Sequence, residues 1–130
     1  MIITGTVKYC GTIDNDGTAQ KNISILIPAD KYDEVIEKAG IDTTKENIPV
    51  KPADDGKHFI VKAHSRYPVS IFENAMESDI DIDTIGENSE VEIDVKMVEG
   101  KFKGKPYQTF YLKGINIKEY VEKQPYNPFA

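Results

Sequence analysis

A single cysteine, Cys10, excludes an internal disulfide and any metal cluster held by thiolates alone. Lys8 is its one basic neighbour in the local sequence, so it reads as a small buried residue rather than a reactive thiol, in keeping with a reducing, intracellular setting. Histidine is nearly as scarce. His58 and His64 are the only two, and neither has an acid or a cysteine at a metal-ligand spacing. The chain has no phosphate-cradling GxxxxGK[ST], no dinucleotide GxGxxG and no nucleophile elbow, so catalysis finds no support and no cofactor is expected. No apolar run approaches the ~18–20 residues that cross a bilayer, which excludes a spanning helix and makes a membrane partner unexpected. The opening MIITGTVKYCG lacks a basic n-region and a long apolar core; it reads as a strand rather than a signal peptide.

Positive charge is also short, with 16 Lys and Arg against 22 Asp and Glu and a net charge of −6. Taken alone this argues against nucleic acid, whose non-specific binding is mostly phosphate neutralisation. The charge is segregated, however. From Lys57 to Phe72 the only charged groups are Lys57, Lys62 and Arg66, and from Glu73 to Asp94 there are nine acids and no base. From Val95 to Lys123 seven lysines face three glutamates. Such a pattern builds a basic face on an acidic molecule. Pairing of acids and bases over an ordinary surface is the competing reading.

At 130 residues the chain is read as one domain, residues 1–121, with a short C-terminal tail at 122–130. Residues 1–13 alternate as a strand, with Ile3, Gly5, Val7 and Tyr9 on one side. Asp14-Asn15-Asp16-Gly17 is a turn, and a second strand follows with Ile23, Ile25 and Ile27 on one face. Pro28 ends it. The spacing of Tyr32, Val35, Ile36 and Ala39 predicts one short helix, about residues 30–39, with Asp30 as its N-cap and Gly40 at its C-terminal end. Residues 41–56 read as a loop with a short strand near 48–51. A third strand spans 57–65 and continues, past a break at Tyr67-Pro68, through Val69–Phe72. Two long strands, 89–99 and 107–118, close the pattern, with a bulge at Lys113-Gly114. The fold class is mainly β: a five- to six-stranded antiparallel barrel of the oligonucleotide/oligosaccharide-binding (OB) type with one helix. A helix after the second strand departs from the simplest plan of that barrel.

The outward face of the third strand presents His58, Lys62, His64 and Arg66 at spacing two. That of the last strand presents Tyr107, Thr109, Tyr111 and Lys113. Between the last two strands, GKFKGKPY offers Lys101, Lys103 and Lys105 with Phe102 and Tyr107 among them. Cations attract phosphates and aromatic rings offer flat faces to bases, so the candidate single-strand site is Lys62, His64, Arg66, Tyr67, Lys96, Lys101, Phe102, Lys103, Lys105, Tyr107, Tyr111 and Lys113. Tyrosines on a solvated strand face also serve strand propensity alone. Asp79, Asp81, Asp83, Glu87 and Glu90 fall at positions 1, 3, 5, 9 and 12 of a calcium loop, but Thr84 stands where the turn requires glycine. The segment reads as a solvated connection, and no metal site is expected.

The elements HFIVKAHSRYPV, IGENSEV and YLKGINI, within residues 57–121, resemble phage-type single-stranded DNA-binding proteins with an OB-fold. The resemblance implies coating of single-stranded DNA in replication, recombination or repair, low sequence preference, homo-oligomers, replication or recombination proteins as partners, and a place in the host-cell cytoplasm. The C-terminus KEYVEKQPYNPFA departs from the acidic tails of many single-strand binders. Pro128-Phe129 echoes their aromatic tip only faintly, and docking of Tyr126 and Phe129 on the domain is the alternative reading. A phage protein-interaction module, and an OB barrel that takes RNA or another ligand, are the competing functions.

Overall fold

Two long hairpins dominate the computed structural model, which describes residues 1–15 and 17–124. The first joins β1 (Ile2–Asn15) to β2 (Thr18–Pro28), and Gly17 takes the positive φ that its tight turn needs. Then come helix α1 (Tyr32–Ala39), β3 (Val50–Pro52), β4 (His58–Ser65), and a small ribbon of β5 (Ser70–Glu73) and β6 (Met76–Glu77). The second long hairpin joins β7 (Glu90–Phe102) to β8 (Lys105–Glu119).

Five of these strands close on themselves in the order β1-β2-β4-β8-β7, with β7 returning to β1. This is the OB barrel expected from the sequence, with its helix between the second and third barrel strands. The closure is not wholly antiparallel. β4 and β5 each run parallel to β8, at Ala63–His64 beside Phe110–Tyr111 and at Ser70–Glu73 beside Gly114–Ile117.

Alternation explains the interior. Ile23, Ile25 and Ile27 of β2, Val61 and Ala63 of β4, Val91, Ile93 and Val95 of β7, and Phe110, Leu112, Ile115 and Ile117 of β8 are all buried. Each large side chain among them contributes about 1.5–3 kcal/mol on burial. β1 and β2 come so close at Gly5 that a Cβ there would stand 2.6 Å from the Leu26 carbonyl oxygen. Val35 of α1 joins the same core, and Tyr32 stacks on Phe59 at 4.2 Å between ring centroids.

Three details differ from the sequence reading. In β1 the alternation slips between Val7 and Tyr9, so Cys10 turns inward and Tyr9 outward. Asp30 does not cap the helix. It lies in a 3₁₀ turn, Ala29–Lys31, whose Ala29 carbonyl accepts from the Tyr32 N–H, the kind of donor a capping side chain serves. The stretch Gly100–Tyr107 is paired strand rather than loop. Phe102 pairs with Lys105, and Lys103 and Gly104 alone form the turn, both at positive φ. The bulge at Lys113 is present, and Gly40 ends α1 in the left-handed conformation.

The acidic connection holds its shape through its own carboxylates. Asp81 accepts from the Asp83 N–H at 2.9 Å, and Asp83 accepts from the Thr12 N–H at 2.6 Å. Beyond β8 the chain stays on the body: the Lys123 N–H donates to the Thr84 carbonyl at 2.8 Å and its Nζ to the Cys10 carbonyl at 2.6 Å. Asp16, Tyr126, Pro128 and Phe129, named in the sequence reading, lie outside the described residues. Among the described residues no helix is long and apolar enough to cross a membrane.

Candidate nucleic-acid interface

Pairing of β4 with β8 creates the site. Because Ala63 lies beside Phe110 and His64 beside Tyr111, the outward row of β4 falls next to the outward row of β8. The β7–β8 register then sets Lys96 opposite Tyr111, Val98 opposite Thr109, Gly100 opposite Tyr107 and Phe102 opposite Lys105, all on one face. His64, Arg66, Tyr67, Val98, Tyr107, Thr109 and Tyr111 line a cleft of about 320 Å³ on this face, with no carboxylate in its lining.

Tyr107 has a defined seat. Its ring lies across Gly100, where a Cβ would stand 2.5 Å from Oη and 2.6 Å from Cζ. The glycine therefore lets the ring fold over the neighbouring strand while leaving it partly exposed. Tyr67, in the lining, and Phe102, farther along the same hairpin face, are 67% and 68% exposed, much for side chains of this size. Ser65 fixes the approach to Tyr67: its Oγ accepts from the Tyr67 N–H and donates to the Tyr67 carbonyl, both at 3.0 Å.

His64 sits half-buried in the floor. Its Nδ1 is 2.8 Å from Gln20 Nε2 and its Nε2 is 2.8 Å from Thr109 Oγ1. With the Gln20 amide donating to Nδ1, the ring is neutral and Nε2–H donates to Thr109. Burial, and then the Arg66 guanidinium, hold its pKa below the ordinary value of 6.5. His58 lies at the far end of β4, where it has an acidic neighbour the sequence reading passed over: Asp55 Oδ2 accepts from its Nδ1 at 2.6 Å.

Five of the twelve candidates, His64, Arg66, Tyr67, Tyr107 and Tyr111, line the cleft. Phe102, Lys96 and Lys105 share the hairpin face by register, Lys96 beside a neighbouring depression and Lys105 beside another with Lys45 and Glu46. Arg66, His64 and Tyr67 come from β4 and the turn after it; Lys96, Phe102, Lys105, Tyr107 and Tyr111 come from the hairpin. Lys62 continues the β4 row away from the cleft. Lys113 is the bulged residue of β8 and lines a neighbouring depression with Lys96, Lys38 and Met1. Lys103 occupies the turn, its Nζ 5.5 Å from the Phe102 ring centroid. Lys101 alternates to the opposite face of the hairpin, beside Lys45, Glu99 and Pro106. Among the described residues Lys62, Arg66, Lys96, Lys101, Lys103, Lys105 and Lys113 form no salt bridge, so the acidic excess of the chain does not neutralise them by direct pairing.

Val98, which lines the cleft, and Gln20, which holds its His64, were missed. Gln20 continues the outward spacing of Asn22 and Ser24, and Val98 that of Lys96, so both were legible once the registers were known. Behind the hairpin, buried Gln108 ties down the loop ahead of β3: its amide accepts from the Asp42 N–H and donates to the Asp42 carbonyl, both at 2.8 Å. Cys10 is fully buried, and burial pushes its thiol up to about 12. Among the described residues no group of three or more His, Cys, Asp or Glu is placed to hold a metal ion.

No family model and no curated protein matches the sequence. Solved structures do match the fold. The single-stranded DNA-binding protein gp2.5 of bacteriophage T7 superposes with a TM-score of 0.72 at 12% identity, over 99% of this chain and 96% of that one. A C-terminally truncated single-stranded DNA-binding protein of bacteriophage Enc34 gives 0.67 at 13% identity, over 95% and 88%. The Enc34 protein in complex with single-stranded DNA gives 0.65 at 12% identity, over 99% and 89%. The barrel, its inserted helix and its long second hairpin thus form the fold of phage single-stranded DNA-binding proteins.

Proposed function

We propose that this chain binds single-stranded DNA with little sequence preference and without catalysis, in the replication, recombination or repair of phage DNA. One observation carries the reading: a cleft free of carboxylates, on a net acidic molecule, lined by three tyrosines and Arg66, with Lys96 opposite Tyr111 on the same face and neither cation in a salt bridge among the described residues. OB barrels take oligonucleotides on the outer face of their second and third strands and on the loops beside it; this cleft lies on the third barrel strand, β4, next to the last hairpin, which supports the reading. Tyr107 and Tyr111 offer faces on which bases stack, and Tyr67 and Phe102 extend the platform. Arg66, Lys96 and Lys105 neutralise phosphates along the rim. Stacking on a ring accepts any base, which makes the binding tolerant of sequence. A duplex hides its base faces and gains only the phosphate contacts.

Fluorescence anisotropy with a labelled 30-nucleotide oligo(dT), at low and moderate salt, tests this. The expected result is binding that weakens as salt rises and a clear preference over a duplex of equal length. Equal affinity for the duplex, or no binding at low salt, refutes it. An RNA oligomer as competitor separates a DNA binder from an RNA binder.

A further inference from the structure

β7 is paired along only part of its outer edge. β1 covers it from Glu90 to Asp94, and the last rung is the Val95 N–H donating to the Met1 carbonyl at 2.9 Å. From Lys96 to Phe102 the strand has β8 on one side and, among the described residues, no strand on the other. The turn fixes which backbone groups are left over. Phe102 and Lys105 close a two-residue turn and face each other across the hairpin, so alternation points the N–H and C=O of Met97, Glu99 and Lys101 outward. Such an edge is a template for another strand.

The sequence of this edge is complementary to itself. Val98-Glu99-Gly100-Lys101-Phe102 reads apolar, acid, glycine, base, apolar about its centre. An antiparallel second copy centred on Gly100 sets Glu99 against Lys101 of that copy, and Val98 against Phe102 of that copy, each pair occurring twice by symmetry. Glu99 and Lys101 are also the residues with outward backbone groups, so the charged pairs coincide with the hydrogen-bonded rungs. Centring on Glu99 or on Lys101 instead sets like charges opposite each other. In the single chain Glu99 and Lys101 form no salt bridge among the described residues, and Val98 and Phe102 are 39% and 68% exposed.

We propose that two copies of this chain form an isologous dimer by pairing their β7 edges, with Gly100 on the two-fold axis. An edge bearing lysines alone would guard against such pairing; Glu99, at the mirror position of Lys101, converts the guard into a match. The pairing makes one sheet continuous across both copies. Val98 and Phe102 face the cleft, so the two clefts meet on a single surface.

Sedimentation of the full chain without DNA, from micromolar to millimolar concentration, tests the dimer separately from any DNA binding. The wild type is expected to shift from monomer to dimer. Glu99→Lys and Lys101→Glu should each weaken association by about tenfold or more, since each sets like charges opposite at two symmetric positions. The double exchange Glu99→Lys with Lys101→Glu should restore it. Register is read by cross-linking: Val98→Cys and Phe102→Cys chains, mixed and oxidised, should join to each other faster than either joins to itself, with buried Cys10 silent. A monomer at every concentration, a double exchange no better than the singles, or cross-linking of unmixed chains as fast as the mixture overturns the proposal.

Discussion

Gly100→Ala should weaken DNA binding although it leaves the chemistry of every proposed DNA-contacting side chain unaltered. The added methyl would stand 2.5 Å from Tyr107 Oη and 2.6 Å from Cζ, so the ring cannot keep its seat. The backbone has no reason to move, because Gly100 lies in regular pairing with Tyr107 and does not take positive φ. Losing one base stack costs about 1–3 kcal/mol, roughly a 5- to 150-fold rise in Kd. Stability should change little: replacing a strand glycine by alanine contributes about 0.5–1 kcal/mol, offset by loss of the ring's cover. Tyr107→Ala should weaken binding by the same range. The decisive comparison is the double variant. With the ring gone the methyl has nothing to displace, so Gly100→Ala in the Tyr107→Ala background should be silent. Anisotropy with oligo(dT), at protein concentrations below those of self-association, reads all four corners of the cycle. If Gly100→Ala binds like wild type while Tyr107→Ala is weak, or if the two losses simply add, the seat of the ring is irrelevant to binding.

Arg66→Ala should remove one phosphate contact, lowering the slope of log K against log salt by about 0.7 as well as the affinity itself; an unchanged slope would place Arg66 off the backbone path. For His64 the depressed pKa sets the sign. The unfolded chain takes up the proton first as pH falls below about 6.5, so the fold loses stability through that window, and denaturant titrations at successive pH values should show the loss disappear in His64→Gln. DNA phosphate favours the charged ring, so the same fall in pH should tighten oligo(dT) binding in the wild type and not in His64→Gln. The Cys10 thiol, fully buried and pushed up to about 12, should resist a thiol reagent at neutral pH and react at once in denaturant; fast reaction of the folded chain would contradict its burial.

Strand periodicity made the barrel walls legible, because β2, β4 and, on either side of its bulge, β8 alternate between a buried row and a more exposed one. Failures came where geometry depends on partners distant in the chain. A bulge at Lys8 exchanges Tyr9 for Cys10 in the interior, which only the pairing of β1 with β2 reveals. The charged, glycine-containing stretch Gly100–Tyr107 has the composition of a loop, yet Lys103-Gly104 closes a two-residue turn and the pairing runs to its tip. That register decides the faces, and so separates Lys101 from Tyr107 although both were assigned to one site. The candidate rows of β4 and β8 were each readable from spacing. Their adjacency rests on a short parallel contact across more than forty residues, and no local pattern encodes it.

β7 begins with Glu90, Glu92 and Asp94 and ends through Lys96, Glu99 and Lys101 into the turn lysine Lys103, so one hairpin joins an anionic end to a net cationic one. At low salt, where the screening length reaches about 30 Å, a distant polyanion meets the summed charge of −6 and is repelled, whereas at physiological salt charges more than about 8 Å away are largely screened. Attraction begins only when the cationic end is nearly touching. Long-range steering is therefore weak, and productive collisions are those that arrive tip first. Added salt then relieves the distant repulsion while loosening the close contacts, and its effect falls on the dwell time of the complex rather than on the rate of encounter.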